Sequence, residues 1–137
     1  GLGDVYKRQV FFNSLSDLGA TEERLQFNGA SAVSLASDIN VKFRKVILEK
    51  FKNHEISLLL GTDLLARGID IENLEVVINF DIPRDREAYT HRAGRTGRMG
   101  NEGSVISLVT HPEDLKKLKK FAKVSELVLK NQELHEK

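Results

Sequence analysis

Residues 56–63 read Ile-Ser-Leu-Leu-Leu-Gly-Thr-Asp, a largely apolar run followed by a glycine, a hydroxyl and a carboxylate. Nearly continuous apolar character over a short run is typical of a strand in a parallel sheet that is covered on both faces. Ligands of open α/β sheets bind at the carboxyl ends of such strands. The stretch therefore predicts a buried strand, with the Gly-Thr-Asp segment placed at a ligand-binding edge.

Similar apolar runs lie on both sides of this stretch, and helical patterns separate them. The other runs cover residues 10–12, 32–35, 76–80 and 105–109. The helical patterns cover residues 14–27, 40–53 and 85–92, and another begins at Pro112, a residue suited to the first turn of a helix. This alternation predicts an α/β fold, an open parallel sheet with helices on both faces.

Length and composition bound the class of protein. The 137 residues are about the size of one globular domain, and 40% hydrophobic with 30% charged residues excludes a disordered or fibrous chain. The net charge of +1 favours no partner by bulk electrostatics. No run approaches the ~20 apolar residues of a membrane-spanning helix, so no membrane partner is expected. The absence of cysteine excludes a thiol nucleophile and fits a cytoplasmic location, and the four scattered histidines suggest no metal site.

The two ends of the chain differ from its middle. Residues 1–9, GLGDVYKRQ, have no initiator Met and no periodicity, so we interpret them as a non-native leader or a disordered terminus. The domain is predicted over residues 10–123. The Lys- and Glu-rich residues 124–137 predict a peripheral helix or tail. On this interpretation the chain is a piece of a larger protein.

Residues 89–98 read Tyr-Thr-His-Arg-Ala-Gly-Arg-Thr-Gly-Arg, in which arginines alternate with glycines and no acid intervenes. Arginine offers a planar charged fork that suits phosphate oxygens, and glycine lets a ligand approach the backbone closely. From charge alone, a solvated basic loop has equal weight. The fixed spacing of so many residue types is too specific for chance and favours a phosphate site.

This stretch resembles motif VI of the DEAD-box RNA helicases, His-Arg-x-Gly-Arg-x-Gly-Arg, and His91 with Arg92 favours that branch over other helicases. Residues 61–71, GTDLLARGIDI, resemble motif V of the same family. Residues 77–83, VINFDIP, are similar to the strand segment that the family has between the two motifs.

The resemblance extends toward the start of the chain. Residues 10–14 resemble motif IV, and the helical pattern over 40–53 aligns with the Gln-x-x-Arg segment and keeps Arg44. In all, the resemblance covers residues 10–122. It implies the C-terminal RecA-like lobe of an ATP-dependent RNA helicase.

The resemblance also implies roles for single residues. Phosphate contacts to RNA are implied for Ser14, Arg44 and Thr62, and contact with the ATP ribose for Asp70. Arg95 and Arg98 are implied as nucleotide-binding arginine fingers that reach the γ-phosphate and act in catalysis, and His91 and Arg92 as contacts with the other lobe.

Each role has a simpler alternative in the chemistry of the residue. Thr62 is placed to cap a helix, Asp70 to order a turn, and His91 to be a structural histidine. The two finger arginines have the alternative of pairing with local acids. Asp63 is predicted to order the loop that follows its strand.

The chain departs from the family pattern at three places. Ala36-Ser37 stands for the usual His-Gly, Val41 for Gln, and Gly61 for a common Ala. The loss of the Gln amide at Val41 puts one RNA contact in doubt.

Two further patterns of the family do not occur in the sequence. There is no G-x-x-x-x-G-K-[ST] loop for the phosphates of ATP and no Asp-Glu-Ala-Asp run for Mg²⁺. In the family both belong to an N-terminal RecA-like lobe, so the expected partners are RNA, ATP and that lobe, and the chain alone is expected to be inactive. The alternatives are a non-catalytic RNA-binding or partner-docking module on the same fold, and a DNA translocase of the same superfamily.

Overall fold

The structure is a computed structural model that describes residues 7–35, 41–63, 74–96 and 104–124, without the side chains of 41 and 122–124. The strands are β1 (Arg8–Phe12), β2 (Ala32–Ser34), β3 (Leu58–Thr62), β4 (Val76–Asn79) and β5 (Ser104–Ser107). The helices are α1 (Leu15–Phe27), α2 (Val41–Lys52), α3 (Arg86–Ala93) and α4 (Pro112–Val124).

The strands form one parallel sheet in the order β2-β3-β1-β4-β5. In the centre, Phe12 of β1 lies opposite Thr62 of β3, and Phe11 lies opposite Asn79 of β4. The ends of these strands are therefore aligned, and the residues that follow them emerge at one edge. The predicted open parallel sheet is confirmed.

Side chains of β1 alternate between two apolar layers. Val10 and Phe12 pack with Leu18 of α1 on one face, whereas Phe11 packs with Phe51 of α2 on the other. The three phenylalanines are completely buried, and each contributes about 1.5–3 kcal/mol through burial. The covering of both faces, predicted from the continuous apolar runs, is confirmed.

A separate apolar cluster holds α3 against α4. It consists of Ile82, Tyr89, Leu118 and Phe121, and the rings of Tyr89 and Phe121 have centroids 5.7 Å apart. Burial raises the pKa of the Tyr89 hydroxyl above its ordinary value of 10.0. The cluster therefore holds α3 in place through Tyr89, one helical turn before Arg92.

The first strand begins earlier than the sequence predicted. It starts at Arg8 and includes Gln9, of which 2% is exposed, whereas the domain was predicted to start at residue 10. The carbonyl of Lys7 accepts hydrogen bonds from the backbone N–H of Glu75 (3.0 Å) and Val76 (3.3 Å). Residues 8 and 9 therefore belong to the sheet, and Lys7 is hydrogen-bonded to it. The predictions for residues 1–6 and for the tail after Val124 concern parts outside the described residues.

Gly61 provides a test of packing in β3. An added Cβ would have no heavy atom within 4 Å, and the residue is buried in the sheet. Gly61→Ala should raise the free energy of unfolding by about 0.4–1 kcal/mol, because alanine reduces the freedom of the unfolded chain. Urea denaturation measures the change.

Gly29→Ala is the control for this prediction. Gly29 has a φ of 85°, in the left-handed region where a Cβ is strained by about 1–2 kcal/mol, so this substitution should destabilise the protein. Equal effects of the two substitutions would contradict the account of β3.

Candidate functional site

Arg92 occupies the centre of the candidate site. It lies on α3, and its side chain has no exposed surface. The guanidinium pairs with both carboxylate oxygens of Asp63, Nε to Oδ1 at 2.8 Å and Nη2 to Oδ2 at 2.6 Å. Such bidentate, charge-assisted pairs are among the stronger hydrogen-bonded contacts in proteins. Since Asp63 directly follows β3, this pair attaches α3 to the carboxyl edge of the sheet.

The remaining donors of Arg92 reach two other strand ends. Nη1 donates to the Asn79 side-chain oxygen (3.2 Å) and to the Asp81 carbonyl (2.9 Å), and Nη2 also donates to the Asn13 side-chain oxygen (2.8 Å). The guanidinium carbon lies 5.2 Å from the Phe11 ring centroid. A buried cation is stable only with such compensation. We call Arg92, Asp63, Asn79, Asp81 and Asn13 the Arg92 junction.

Asn13 connects the junction to the turn after β4. Its backbone N–H donates to the Asp81 carboxylate at 2.7 Å, and its side-chain amide donates to the Ile82 carbonyl at 3.1 Å. Its own carbonyl accepts from Arg84 at 3.0 Å. The ends of β3, β1 and β4 are thus bound to one another through side chains, beyond the ladder of the sheet.

The sequence revealed only part of this junction. Asp63 was predicted to order its loop, and the structure shows that its partner is Arg92. The junction residues Asn13, Asn79 and Asp81 were missed. Asn79 carried a usable signal, because a fully buried amide at the end of an apolar run requires a polar partner. Arg92, for which the resemblance implies an interlobe contact, is completely buried in this lobe and makes its hydrogen bonds within it, and the interlobe contact stays a prediction.

The structure brings the three predicted RNA residues to one edge. Ser14 follows β1, Thr62 ends β3, and Arg44 lies in the first turn of α2, which follows β2. Because β2, β3 and β1 are adjacent and parallel, their following residues share the carboxyl edge.

The local geometry of these residues suits polar contacts. The Ser14 hydroxyl caps α1 by accepting from the Asp17 N–H at 3.1 Å, and it keeps its own hydrogen as a donor. Arg44 is half-buried, and its buried Nε has no hydrogen-bond partner among the described residues. Thr62 is half-buried at the strand end, and the helix that it was predicted to cap lies outside the described residues.

The predicted nucleotide residues are described only in part. Arg95 follows α3 and is 9% exposed; its carbonyl accepts from the Leu74 N–H at 3.1 Å. Thr96 forms a parallel bridge with Leu74, and its hydroxyl donates to the Leu74 carbonyl. The Arg95 backbone is therefore fixed beside the start of β4. Asp70 and Arg98 lie outside the described residues.

His91 has a different position from Arg92. It is exposed on α3 and lines an open depression together with Asp85, Arg86, Glu87 and Thr90. Within the four described ranges, no group of His, Asp and Glu side chains is arranged to hold a metal ion. In the same ranges, no helix has the length and apolar character needed to cross a membrane.

Comparison with known proteins agrees with this architecture. The family described as the helicase conserved C-terminal domain matches residues 5–100. ATP-dependent RNA helicase DeaD of Buchnera aphidicola is 40% identical over 86 residues, which are 63% of this chain and 14% of that protein. DeaD of Escherichia coli K12 is 42% identical over 73 residues, which are 53% of this chain and 12% of that protein.

Solved structures give the same result. The C-terminal domain of the DEAD-box protein Dbp5 has a TM-score of 0.80 and 29% identity, covering 91% of this chain and 73% of that one. A DEAD-box protein of Methanococcus jannaschii has a TM-score of 0.77 and 32% identity, and the match covers 93% of this chain and 35% of that one. Saccharomyces cerevisiae Dbp5 bound to RNA and ADP BeF3 has a TM-score of 0.77 and 29% identity, and the match covers 87% of this chain and 32% of that one.

The chain belongs to the helicase conserved C-terminal domain family, and its fold is that of the C-terminal RecA-like lobe of DEAD-box RNA helicases. It spans 14% of the length of the Buchnera relative and 12% of the Escherichia coli relative.

The Arg92 junction predicts a large effect of removing Asp63. Asp63→Ala leaves the buried guanidinium without its counter-charge, which should lower the free energy of unfolding by about 3 kcal/mol. We expect the lower end of the usual range because 31% of the Asp63 side chain is exposed.

Chemical denaturation of the two variants tests this. The matched control is Glu23→Ala, which removes an exposed carboxylate from α1 and should change stability by no more than about 0.5 kcal/mol. A loss at Asp63 as small as the loss at Glu23 would show that the pair contributes little.

Proposed function

We propose that this chain is the second lobe of an ATP-dependent RNA helicase that couples ATP binding and hydrolysis to RNA binding and duplex unwinding. The observation that carries the proposal is that Ser14 follows β1, Thr62 ends β3 and Arg44 lies in the first turn of the helix after β2, where these three strands are adjacent and parallel. The similarity to DeaD proteins and to Dbp5 supports it.

RNA would contact this edge through its backbone. Hydroxyl groups of Ser14 and Thr62 donate hydrogen bonds to phosphate oxygens, and Arg44 adds a permanent positive charge. Contacts of this kind position a nucleic acid without reading its bases. The proposed interface is therefore independent of RNA sequence.

ATP would lie between this lobe and an N-terminal lobe that holds Mg²⁺ and the β- and γ-phosphates. Arg95 has the donor chemistry for a phosphoryl group, and we assign it with Arg98 to the γ-phosphate and Asp70 to the ribose. Because nine-tenths of Arg95 is buried in this lobe, its guanidinium must turn outward when the lobes close. When bound, ATP would supply the phosphoryl group that is transferred. The two arginines would stabilise the negative charge that develops on the oxygens of this group.

The Arg92 junction joins the two proposed ligand regions. Asn13 directly precedes Ser14, and Asp63 directly follows Thr62. Both are bound to Arg92, which lies on the helix that leads to Arg95. A shift of α3 on nucleotide binding is therefore transmitted to the RNA edge through hydrogen bonds. We assign the exposed His91 to the contact with the N-terminal lobe, and the cytoplasmic location stays a prediction.

The RNA contacts are tested in a two-lobed protein that carries this chain as its second lobe. Arg44→Ala and Thr62→Ala should weaken binding equally for all RNA sequences, since both residues contact phosphates. Arg44→Ala should also reduce the slope of log affinity against log salt by about one. Titration of labelled RNAs at several salt concentrations measures both effects.

Arg24→Ala is the matched control, because Arg24 is an exposed arginine in the last turn of α1, toward the opposite edge of the sheet. It should bind RNA like the wild type. An effect of Arg44→Ala that is confined to particular base sequences would disprove a backbone contact.

Hydrolysis tests the proposed activity and the finger role together. The two-lobed protein should hydrolyse ATP with stimulation by RNA, whereas the chain alone should show no turnover. Arg98→Lys should lower the single-turnover rate by about 10³–10⁵, or roughly 4–7 kcal/mol, because an ammonium cannot replace the planar fork.

Thermal melting is measured on the same variant. A wild-type melt with a rate loss below about tenfold would refute the finger assignment, since a finger contributes far more. Stimulation by duplex DNA instead of RNA would point to a translocase, and an absence of hydrolysis in the two-lobed protein would point to a non-catalytic RNA-binding module.

A further inference from the structure

The first turns of α2 carry an exposed surface that the proposed phosphate contacts do not use. Phe43 is 65% exposed, and Val46, one turn further on, is 47% exposed. The neighbouring Lys42 and Lys45 are also exposed. We call these four residues the α2 surface. One exposed apolar side chain is ordinary, but here two adjoin cations at the edge assigned to a ligand.

The charge of the α2 surface favours an anionic partner. The first turn of α2 contains no acidic residue, whereas the first turns of α1, α3 and α4 each contain at least one. Acidic residues are the favourable ones at a helix N-terminus, so the cations on α2 oppose the helix dipole. An anion is therefore attracted to this end of α2.

The position of the surface identifies the anion as the RNA of the proposed function. Phe43 directly precedes Arg44, the residue assigned to the RNA backbone, in the first turn of α2, the helix that follows the neighbour of the strand that ends at Thr62. If the phosphates of an RNA strand follow this edge, its bases lie within reach of other side chains in the first turn of α2. An acidic protein segment would match the charge, but it has no such continuity with the edge.

We propose that Phe43 is a stacking platform for one unpaired base of the bound RNA, with Lys42 and Lys45 attracting the adjoining phosphates. The inference rests on the proposed function and adds a contact of a different chemical kind. Aromatic stacking accepts any base, because every base has a π face, and so it agrees with an interface that does not read sequence. Val46 extends the apolar surface beside the ring.

The test measures binding of a fluorescein-labelled oligouridylate by fluorescence anisotropy, in the two-lobed protein that carries this chain as its second lobe. Phe43→Ala should weaken binding by about 5- to 150-fold, the range of one stacked base. Phe43→Leu should weaken it similarly, because leucine keeps apolar surface without a ring. Phe43→Trp should retain affinity, and its fluorescence should be quenched by the RNA.

Phe27 provides the matched control. It is 90% exposed at the end of α1, toward the opposite edge of the sheet, so Phe27→Ala should bind RNA normally and Phe27→Trp should not be quenched. Thermal melts verify folding, which exposed positions should leave unchanged.

The outcomes separate this inference from the proposed function. If Arg44→Ala weakens binding and Phe43→Ala does not, the stacking platform is overturned and the RNA edge stands. Wild-type affinity of the Phe43→Leu variant, or tryptophan fluorescence of the Phe43→Trp variant that RNA does not quench, also overturns stacking. Either result would indicate that the α2 surface binds a protein partner instead. If the two-lobed protein does not bind the oligouridylate, both the platform and the RNA edge fail.

Discussion

The buried guanidinium of Arg92 imposes the constraint on which the functional edge depends. A cation without solvent requires a counter-charge and several acceptors, and only the ends of β1, β3 and β4 together provide them. Meeting this requirement fixes where the three strands end relative to one another. It also fixes α3, which packs through Tyr89 against Phe121 of α4.

The same arrangement separates the two proposed ligand regions of the lobe. Residues assigned to RNA follow β2, β3 and β1, and the arginine assigned to the nucleotide follows α3. The junction lies between them and is made of hydrogen bonds, whose geometry tolerates little displacement. Apolar layers cover both faces of the sheet, and the proposed coupling between the two ligand regions runs through this junction.

Much of this architecture could be predicted from local pattern. Continuous apolar runs identified the strands, and the alternation with helices gave the parallel sheet, since buried strands and amphipathic helices have distinct periods. The predicted start of β1 was less accurate. Lys7 and Arg8 pair with the segment at the start of β4, and the residue types at 7–9 do not reveal this pairing. The spacing of residues 89–98 indicated a phosphate site independently of any pairing.

By itself the sequence determined the fold class and the family, because periodicity and motif spacing are encoded along the chain. Only the tertiary structure decided how Arg92 is used. Its partners Asn13 and Asp63 are 79 and 29 residues away in sequence, and no local pattern specifies which carboxylate a buried arginine meets. That choice follows from the strand order, which brings distant segments to one edge of the sheet.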